Sequence, residues 1–231
     1  MRTVILCGGR GTRAYPYTRA VPKPLLEVAG EPVLLHLLRI YADQGWTEFV
    51  LAAGAMSQQI EEFARQLPSS WSVEVIDTGD ATATGSRIAK VRHLLDGTFF
   101  ANYADGLADV DLARLLEFHR SHPGAATLTS VPLPSPYGTL DLDANDRVVD
   151  FHEKPQLDDH RINGGYFVFD ERVFELWEGE DLEREILPAL ATAGELYHHR
   201  HAGFWRSLDT YKDALELAEL ASGPGDAPWR R

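Results

Sequence analysis

The stretch that decides the fold lies near the start of the chain and reads Leu6-Cys7-Gly8-Gly9-Arg10-Gly11-Thr12-Arg13. It continues the short apolar run Val4-Ile5-Leu6, which is typical of a strand buried on both faces of a parallel sheet. The glycines therefore stand at the carboxyl end of a strand, where open α/β sheets bind their ligands. Because glycine has no Cβ, the backbone can turn sharply there and bring its N–H groups close to a phosphate.

The charge distribution supports an anionic ligand at this loop. The chain of 231 residues has a formal net charge of −13, yet residues 1–26 contain five basic residues and no acidic residue. A nucleoside triphosphate is therefore attracted to this segment and repelled by the rest of the chain. Pro22 and Pro24 restrict the backbone on either side of Lys23 and so limit where its ammonium group can go. On glycine spacing alone, an ordinary glycine-rich turn beside a solvated basic face explains the pattern equally well.

Length and composition bound the class of protein. A chain of this length with 44% apolar residues is long enough for one large α/β domain with a proper core. The single cysteine excludes an internal disulfide, and the N-terminal apolar run is too short for a signal peptide or a membrane span, so we expect a cytoplasmic protein. The acidic balance and the lack of a basic stripe argue against nucleic acid or a membrane as a partner.

Apolar periodicity predicts alternating helices and strands in the first half of the chain. Helical spacing over Glu31–Gln44 is followed by a strand at Phe49–Ala53, a helix at Ile60–Ala64 and a strand at Trp71–Ile76. This order predicts a parallel, doubly wound sheet with right-handed crossovers. From Ala125 onward, short strands separated by turn residues predict an antiparallel or mixed portion.

A second polar, glycine-bearing segment follows the strand at Trp71–Ile76. It spans Asp77–Arg87 and precedes a helix predicted at Ile88–Leu95, so Thr84 and Gly85 are expected near a helix N-terminus, where backbone N–H groups are free to bind a ligand. An ordinary helix start capped by serine or threonine is the alternative.

Carboxylates also follow the strand predicted at Thr98–Tyr103. Asp105 stands at its end, on the same edge of the sheet as the glycine loop, and is therefore a candidate Mg²⁺ ligand. A turn-forming Asp-Gly pair is the alternative. Asp109 and Asp111 resemble a D-x-D metal motif, but we expect both to cap the helix predicted at Leu112–His119.

The motifs of this chain resemble, in family order, those of the sugar-1-phosphate nucleotidyltransferases. The family signature (L)xGGxGTR…PKP is matched by the glycine loop and by Pro22-Lys23-Pro24. Cys7 stands where the family usually has a small residue such as alanine. The resemblance implies a Rossmann-like nucleotidyltransferase fold, in the α/β class, with a mixed, mostly parallel central sheet flanked by helices and a small sugar-binding β portion.

The resemblance also implies a division of one domain and a role for each matched residue. Residues 1–124 are expected to bind the nucleotide, residues 125–221 the sugar phosphate, and residues 222–231 to form a tail that is either loose or docked through Trp229. The residues implied for nucleotide binding are Leu6, Gly8, Gly9, Gly11, Thr12, Arg13, Thr84, Gly85, Arg87 and Asp105. Those implied for the sugar phosphate, from the end of a strand and from the motifs E-K-P and N-x-G/N-G-G, are Tyr103, Glu153, Lys154, Asn163 and Gly164.

The expected catalytic residues are Arg13 and Lys23, and the expected Mg²⁺ ligands are Asp105 and Asp209. Asp209 belongs to a W-x-x-x-D-T motif and is also suited to cap the helix predicted at Tyr211–Ala221. In the implied reaction, an oxygen of a sugar 1-phosphate attacks the α-phosphorus of a nucleoside triphosphate and pyrophosphate leaves. The attacking group is already an anion at neutral pH, so the difficulty is to bring two polyanions together and to stabilise the transferring phosphoryl group.

The run D-T-G-x(4)-T-G-x-R, which ends at Arg87, resembles the nucleobase-binding stretch of glucose-1-phosphate cytidylyltransferases. CTP and α-D-glucose 1-phosphate are therefore the expected substrates. The run Thr18–Pro22 is also similar to thymidylyl- and uridylyltransferases, which keeps these and guanylyltransferases open, and the loop around Gln66–Ser70 is shorter than in the cytidylyltransferases.

Two other classes of protein compete with this interpretation. A non-catalytic regulatory subunit of the same ancestry is expected to lose the lysine or the metal carboxylates, whereas this chain keeps Lys23, Asp105 and Asp209. A metal-dependent glycosyltransferase relies on D-x-D and does not need the glycine loop. We expect an enzyme, and the habit of the family predicts a homo-oligomer.

Overall fold

The computed structural model of the protein describes residues 1–9, 11 and 14–230, and of Asp158 the backbone only. The roles predicted for Thr12 and Arg13 lie outside the described residues. Within these ranges, none of the helices combines the length and the hydrophobicity needed to cross a membrane.

The chain alternates strands and helices through its first half and is rich in strands thereafter. The strands are β1 (Thr3–Leu6), β2 (Glu27–Val28), β3 (Glu31–Pro32), β4 (Glu48–Ala53), β5 (Ser72–Asp77), β6 (Thr98–Tyr103), β7 (Gly106–Ala108), β8 (Ala126–Pro134), β9 (Thr139–Leu142), β10 (Val148–His152), β11 (Gln156–Asp170), β12 (Leu196–Arg200) and β13 (Trp205–Ser207). The α-helices are α1 (Val33–Ala42), α2 (Ser57–Ala64), α3 (Thr84–Val91), α4 (Leu112–Arg120), α5 (Leu187–Thr192) and α6 (Tyr211–Ala221). Short 3₁₀ turns lie at Tyr17–Arg19, Lys23–Leu25, Arg92–Leu94 and Glu171–Glu175, and a turn of π-helix lies at Leu182–Ile186.

A seven-stranded sheet with the order β12-β8-β11-β6-β1-β4-β5 forms the centre of the fold. Strands β4 and β6 lie parallel to β1 on its two sides, so Leu6 is in register with Ala52 and with Tyr103. Strand β5 continues the parallel part, whereas β11 runs antiparallel to both β6 and β8. The predicted mixed, mostly parallel sheet is confirmed, and the carboxyl ends of β1, β4 and β6 meet at one edge.

The core lies on both faces of this sheet. Side chains on a strand point alternately to opposite faces, so Ile5 packs with residues of α1, α2, α4 and α6, while Val4 and Leu6 pack with residues of α3 and α5. Burial on both faces explains why β1 and β4 are almost continuously apolar in sequence. The strand ends are thereby fixed as a rigid base for the loops that follow them.

The C-terminal tail is docked against the domain. Trp229 is 1% exposed, and its ring meets those of His36 and Phe204. Arg230 adds an ion pair with Glu31 at 3.8 Å. Of the two arrangements considered from sequence, docking through the tryptophan is the one observed, because the indole buries a large apolar surface.

The hairpin formed by β9 and β10 extends away from the core and pairs only with itself in the sheets of the described chain. Its strands alternate apolar and polar residues, and Leu140, Leu142 and Phe151 share one face of the hairpin, and each of these residues is more than half exposed. This hairpin precedes the E-K-P motif and belongs to the portion expected to bind the sugar phosphate.

Candidate functional site

A cleft of about 830 Å³ opens at the carboxyl ends of β1 and β6. Most of the site residues predicted from sequence line it, namely Leu6, Gly8, Gly9, Gly11, Lys23, Thr84, Arg87, Tyr103, Asp105, Asn163, Gly164 and Asp209. The structure thus brings together residues from the start, middle and end of the chain. Gly85, Glu153 and Lys154 are not among the residues that line it.

The glycines of the first loop are required for different reasons. A Cβ on Gly8 would stand 2.0 Å from the guanidinium carbon of Arg87, and a Cβ on Gly11, whose φ is +60°, would stand within 3 Å of Thr18 and Lys23. These two positions exclude a side chain by packing. A Cβ on Gly9 would meet no atom of the described residues within 4 Å, so this position leaves space beside the cleft for a ligand.

The side chain of Arg87 joins the glycine loop to the loop after β5. It is only 3% exposed and its guanidinium group lies beneath the glycine loop and the loop after β5. Burial lowers the pKa of Arg87, and the nearby Asp80 and Asp77 oppose that shift. Its hydrogen bonds run to the carbonyl oxygens of Gly8 (2.8 Å), Ala53 (3.0 Å), Gly79 (2.9 Å) and Asp80 (3.2 Å) and to Thr78 Oγ1 (2.5 Å).

The segment predicted to bind the nucleobase leads into helix α3, as expected. Of its residues Thr84 and Gly85, only Thr84 lines the cleft. Thr84 is the first residue of α3 and lines the cleft. Gly85 is buried, and a Cβ there would stand 2.2 Å from Ile186 Cδ1 and 2.8 Å from the carbonyl oxygen of Glu180. Gly85 is therefore needed for the π-helical turn to pack against α3, and its role toward a nucleotide stays a prediction.

Lys23 lies between the two carboxylates predicted to bind metal. Its Nζ is 2.5 Å from Asp105 Oδ2 and 2.8 Å from Asp209 Oδ1, and its side chain is 11% exposed. Lys23 opens a short 3₁₀ turn whose second residue is Pro24, so the backbone that carries the ammonium is stiff. Two carboxylates that converge on one cation form an arrangement that also suits a divalent metal ion.

A small ladder brings Asp105 and Asp209 together. Strand β7 follows Asp105 directly, β13 ends shortly before Asp209, and the two strands pair antiparallel with Ser207 opposite Gly106. The backbone N–H of Leu208 also donates to the carbonyl oxygen of Asp105 at 2.9 Å. The two carboxylates are thus fixed by main-chain hydrogen bonds.

Asp209 does not cap α6. Thr210 is the N-cap, and it forms a capping box with Asp213, whose carboxylate accepts from the backbone N–H of Asp209 at 2.9 Å and of Thr210 at 2.6 Å. The alternative role considered for Asp209 was therefore wrong by one residue, because threonine is also a good N-cap. The carboxylate of Asp209 points to Lys23 instead.

The D-x-D pair divides into two structural roles. Asp111 caps α4 by accepting from the backbone N–H of Arg114 at 3.0 Å, as expected. Asp109 does not cap the helix, since its Oδ1 lies 3.0 Å from His201 Nε2. Neither residue lines the cleft.

The end of the cleft that is expected to bind the sugar phosphate is built around Asn163 and Gly164. The side-chain oxygen of Asn163 accepts from the backbone N–H of Gly165 at 2.8 Å, and Trp205 Nε1 donates to the carbonyl oxygen of Gly164 at 2.8 Å. Asn163 Nδ2 donates to the Tyr103 hydroxyl at 3.2 Å. Three residues predicted for the sugar phosphate therefore lie together.

The E-K-P residues lie outside this group. Glu153 and Lys154 are more than half exposed, and the carboxylate and ammonium groups are 3.9 Å apart. Lys154 has a φ of +48°, an uncommon backbone conformation for a residue with a side chain. Their sugar-phosphate roles stay predictions.

Sequence reasoning missed several residues of the cleft wall. The described lining includes the acidic residues Asp80, Asp181 and Glu183 beside Asp105 and Asp209, against the two cations Lys23 and Arg87. Glu183 lies in the π-helical turn, where the sequence shows only an ordinary helical pattern with charged residues. Trp205 was part of the W-x-x-x-D-T motif but had no predicted role of its own.

Comparisons with known proteins identify the family of this chain. The model of the nucleotidyl transferase family matches residues 2–221. A glucose-1-phosphate cytidylyltransferase from Salmonella typhi is 35% identical over 256 aligned positions, which cover all of this chain and 99% of the relative. A mannose-1-phosphate guanylyltransferase catalytic subunit beta from Drosophila pseudoobscura pseudoobscura is 34% identical and covers 93% of this chain and 60% of the relative.

A solved structure shares the fold. The crystal structure of a putative glucose-1-phosphate thymidylyltransferase from Bacillus anthracis superposes with a TM-score of 0.76 over 97% of this chain and 96% of that one, at 18% identity. The resemblance that the motifs indicated is thus confirmed over essentially the whole chain, and the protein belongs to the nucleotidyl transferase family of enzymes.

Proposed function

We propose that the protein transfers CMP from CTP to a sugar 1-phosphate, with α-D-glucose 1-phosphate as the substrate, and releases pyrophosphate. The observation that carries the proposal is the position of Lys23 between Asp105 and Asp209, at the floor of a cleft whose walls hold both the glycine loop and the Asn163-Gly164 pair. A cation-binding centre between a phosphate loop and a sugar pocket suits transfer between two phosphorylated reactants.

The chain's own residues supply binding, orientation and charge. The loop around Gly9 offers backbone N–H groups and open space to the triphosphate, and Arg87 holds that loop against the base segment. The ammonium of Lys23 is placed to stabilise negative charge on the transferring phosphoryl group once it leaves the carboxylates. No residue has to remove a proton, because the attacking phosphate oxygen is already ionised.

The donor set of the cleft fits a divalent cation. Among the described lining residues, carboxylates outnumber cationic side chains by five to two, and this local excess of negative charge suits a bound cation. Asp105 and Asp209 would hold Mg²⁺, for which carboxylate oxygens are the usual protein ligands. When bound, Mg²⁺ supplies charge neutralisation at the phosphates and the leaving pyrophosphate.

The proposal of CTP as the donor rests on the segment before α3 and on the relatives. The segment Asp77–Arg87 resembles that of cytidylyltransferases, and the relative from Salmonella typhi that aligns along the full chain carries that name. The guanylyltransferase from Drosophila is nearly as similar in identity, so GTP with mannose 1-phosphate is the competing pair.

Measurement of pyrophosphate release tests both the proposed reaction and the proposed choice of substrates. The protein is assayed with Mg²⁺ and α-D-glucose 1-phosphate against CTP, UTP, dTTP, GTP and ATP, and each nucleotide is repeated with mannose 1-phosphate. We expect the fastest release with CTP and glucose 1-phosphate. Turnover with another pair would move the protein to another branch of its family, and no release with any pair would refute the proposal.

Three further expectations belong to this proposal. We expect the protein to lie in the cytoplasm, where nucleoside triphosphates are available and where a free thiol such as that of Cys7 stays reduced. Association into a homo-oligomer is predicted from the family and is measured by light scattering after size exclusion. The functional division at residue 125 also stays a prediction, since β8, β11 and β12 share one sheet with β1 and β4.

A further inference from the structure

Glu183 joins two walls of the cleft through both oxygens of its carboxylate. Its Oε2 accepts from Thr84 Oγ1 at 2.7 Å, and its Oε1 accepts from the Tyr103 hydroxyl at 2.5 Å. Thr84 begins α3, and Tyr103 ends β6. Within the described part of the chain, Thr84 and Tyr103 make no hydrogen bond to each other, so Glu183 is the side chain that links them.

The hydrogen bonds continue from Tyr103 to the sugar end of the cleft. The Tyr103 hydroxyl accepts from Asn163 Nδ2 at 3.2 Å while it donates to Glu183. Because an ionised carboxylate can only accept, the hydrogen of this contact comes from the Tyr103 hydroxyl. The result is one chain of side chains, Thr84–Glu183–Tyr103–Asn163, from the base segment to the N-G-G motif.

The carboxylate is held on a packed support. Leu182 and Ile186 of the π-helical turn are fully buried against α3 and its neighbours. The backbone N–H of Ser86 donates to the carbonyl oxygen of Glu180 at 2.9 Å, and Asp181 caps the turn by accepting from the backbone N–H of Glu183 at 3.0 Å. The position of Glu183 relative to α3 is thus fixed by packing and main-chain hydrogen bonds.

We propose that Glu183 is a positioning residue that couples the nucleotide half of the site to the sugar-phosphate half, by holding Thr84 and Tyr103 in one arrangement. This inference rests on the proposed function, because the coupled groups are those expected to face the base and the sugar. Its chemistry requires an acceptor at both ends. Glutamine offers an acceptor at one end only and turns an amide N–H₂ toward a hydroxyl at the other.

The predicted signature is a rise in two Michaelis constants from a change at one position. In Glu183→Gln, we expect the KM for CTP and the KM for the sugar phosphate each to rise roughly tenfold, as for loss of a hydrogen bond to a charged group, with kcat within about threefold of wild type. Tyr103→Phe is expected to raise the KM for CTP as well as that for the sugar phosphate, although Tyr103 lies toward the sugar end. A merely local role for Tyr103 would change the sugar KM alone.

The test combines steady-state kinetics with a double-mutant cycle. Thr84→Val removes the hydroxyl at the other end of the chain, so its effect on the KM for CTP should be less than additive with that of Glu183→Gln. Thr84→Ser retains the hydroxyl, so Glu183→Gln should change the KM for CTP by the same factor in this background as in wild type. Glu178→Gln is the matched control, because Glu178 is an exposed carboxylate near the same segment that does not line the cleft.

The outcomes separate this inference from the proposed function. If wild-type protein releases no pyrophosphate with any substrate pair, the proposed function has failed; binding of CTP and of the sugar phosphate to wild type and Glu183→Gln by calorimetry then tests the coupling without turnover. If wild type is active and Glu183→Gln is folded by circular dichroism with both KM values unchanged, or if the cycle is additive, the inference is refuted. Should Glu183→Gln fail to fold, Tyr103→Phe and Thr84→Val carry the same test.

Discussion

Replacement of Lys23 by methionine should change metal binding and turnover in opposite directions. Methionine keeps a similar unbranched side chain but removes the ammonium that lies 2.5 Å from Asp105 and 2.8 Å from Asp209. In the wild-type protein, a divalent cation has to displace that ammonium before it can use both carboxylates. In the variant, the carboxylates have no competing lysine and should bind the cation more tightly.

The expected change in the affinity for a divalent cation can be estimated from the contacts that the ammonium group loses. A hydrogen bond to a charged group contributes about 1.5–3 kcal/mol net of the water contacts that it replaces, so displacement of the ammonium costs the wild-type protein about 2 kcal/mol. Lys23→Met avoids this cost, which corresponds to roughly 30-fold tighter binding of a divalent cation. Turnover should nevertheless fall by roughly two to four orders of magnitude, as on removal of a preorganised group that stabilises the transition state.

Manganese provides the readout without turnover. Electron paramagnetic resonance counts free Mn²⁺ during a titration of each protein in the absence of nucleotide, and pyrophosphate release is measured in parallel with Mg²⁺. Lys212→Met serves as the control, because Lys212 lies on α6, its side chain is 71% exposed, and its ion pair in the described part of the chain is with Glu216. Unchanged or weaker Mn²⁺ binding in Lys23→Met would refute the arrangement, and a loss of turnover below tenfold in a folded variant would refute the catalytic role.

Three other perturbations test the support of the site. Arg87→Lys keeps the charge, but the lysine ammonium cannot reach all five acceptors that the guanidinium group contacts. The free energy of unfolding in urea should therefore fall by about 2–4 kcal/mol, and CTP should bind more weakly. Unchanged stability would contradict the role of Arg87 in joining the two loops. Gly85→Ala should destabilise the protein by about 1–3 kcal/mol, because the added Cβ would meet Ile186. Gly9→Ala should leave the thermal stability unchanged and weaken CTP binding. Equal melting temperatures for the two variants would contradict the different packing of the two glycines. Burial lowers the pKa of His119 to about 4, so between about pH 6.5 and pH 4 the unfolded chain binds more protons than the folded protein. The free energy of unfolding should therefore fall by about 3 kcal/mol as the pH drops through that range. His119→Gln should reduce this fall, as measured by urea unfolding at each pH, and a pH profile identical to that of wild type would contradict this role of His119.

Part of the site was readable from sequence because it depends on local chemistry. Strand periodicity placed Leu6 and Tyr103 at strand ends, and parallel strands align their carboxyl ends, so a cleft at this edge follows from pattern alone. The sequence also predicted a sharp backbone turn at Gly8 and Gly11. It did not predict why position 8 excludes a side chain, because the obstacle is the guanidinium group of Arg87, 79 positions away in sequence.

Local patterns failed where two residues were equally suited to a task or where a partner was distant. Asp209 and Thr210 are both good N-caps, and the choice of Thr210 depends on its capping box with Asp213. Asp109 resembles a helix-capping residue until the fold brings His201 to it. Glu183 showed no distinguishing signal, because its partners Thr84 and Tyr103 come from a different half of the chain.

The sequence by itself determined the class of fold, the glycine loop at a strand end and the set of charged residues available for chemistry. These follow from apolar periodicity and from the absence of a Cβ, which are properties of neighbouring residues. The tertiary structure decided which charges meet. Lys23 is separated by 82 positions from Asp105 and by 186 from Asp209, and they become neighbours only because β7 and β13 pair and because burial of both sheet faces fixes the strand ends that carry them.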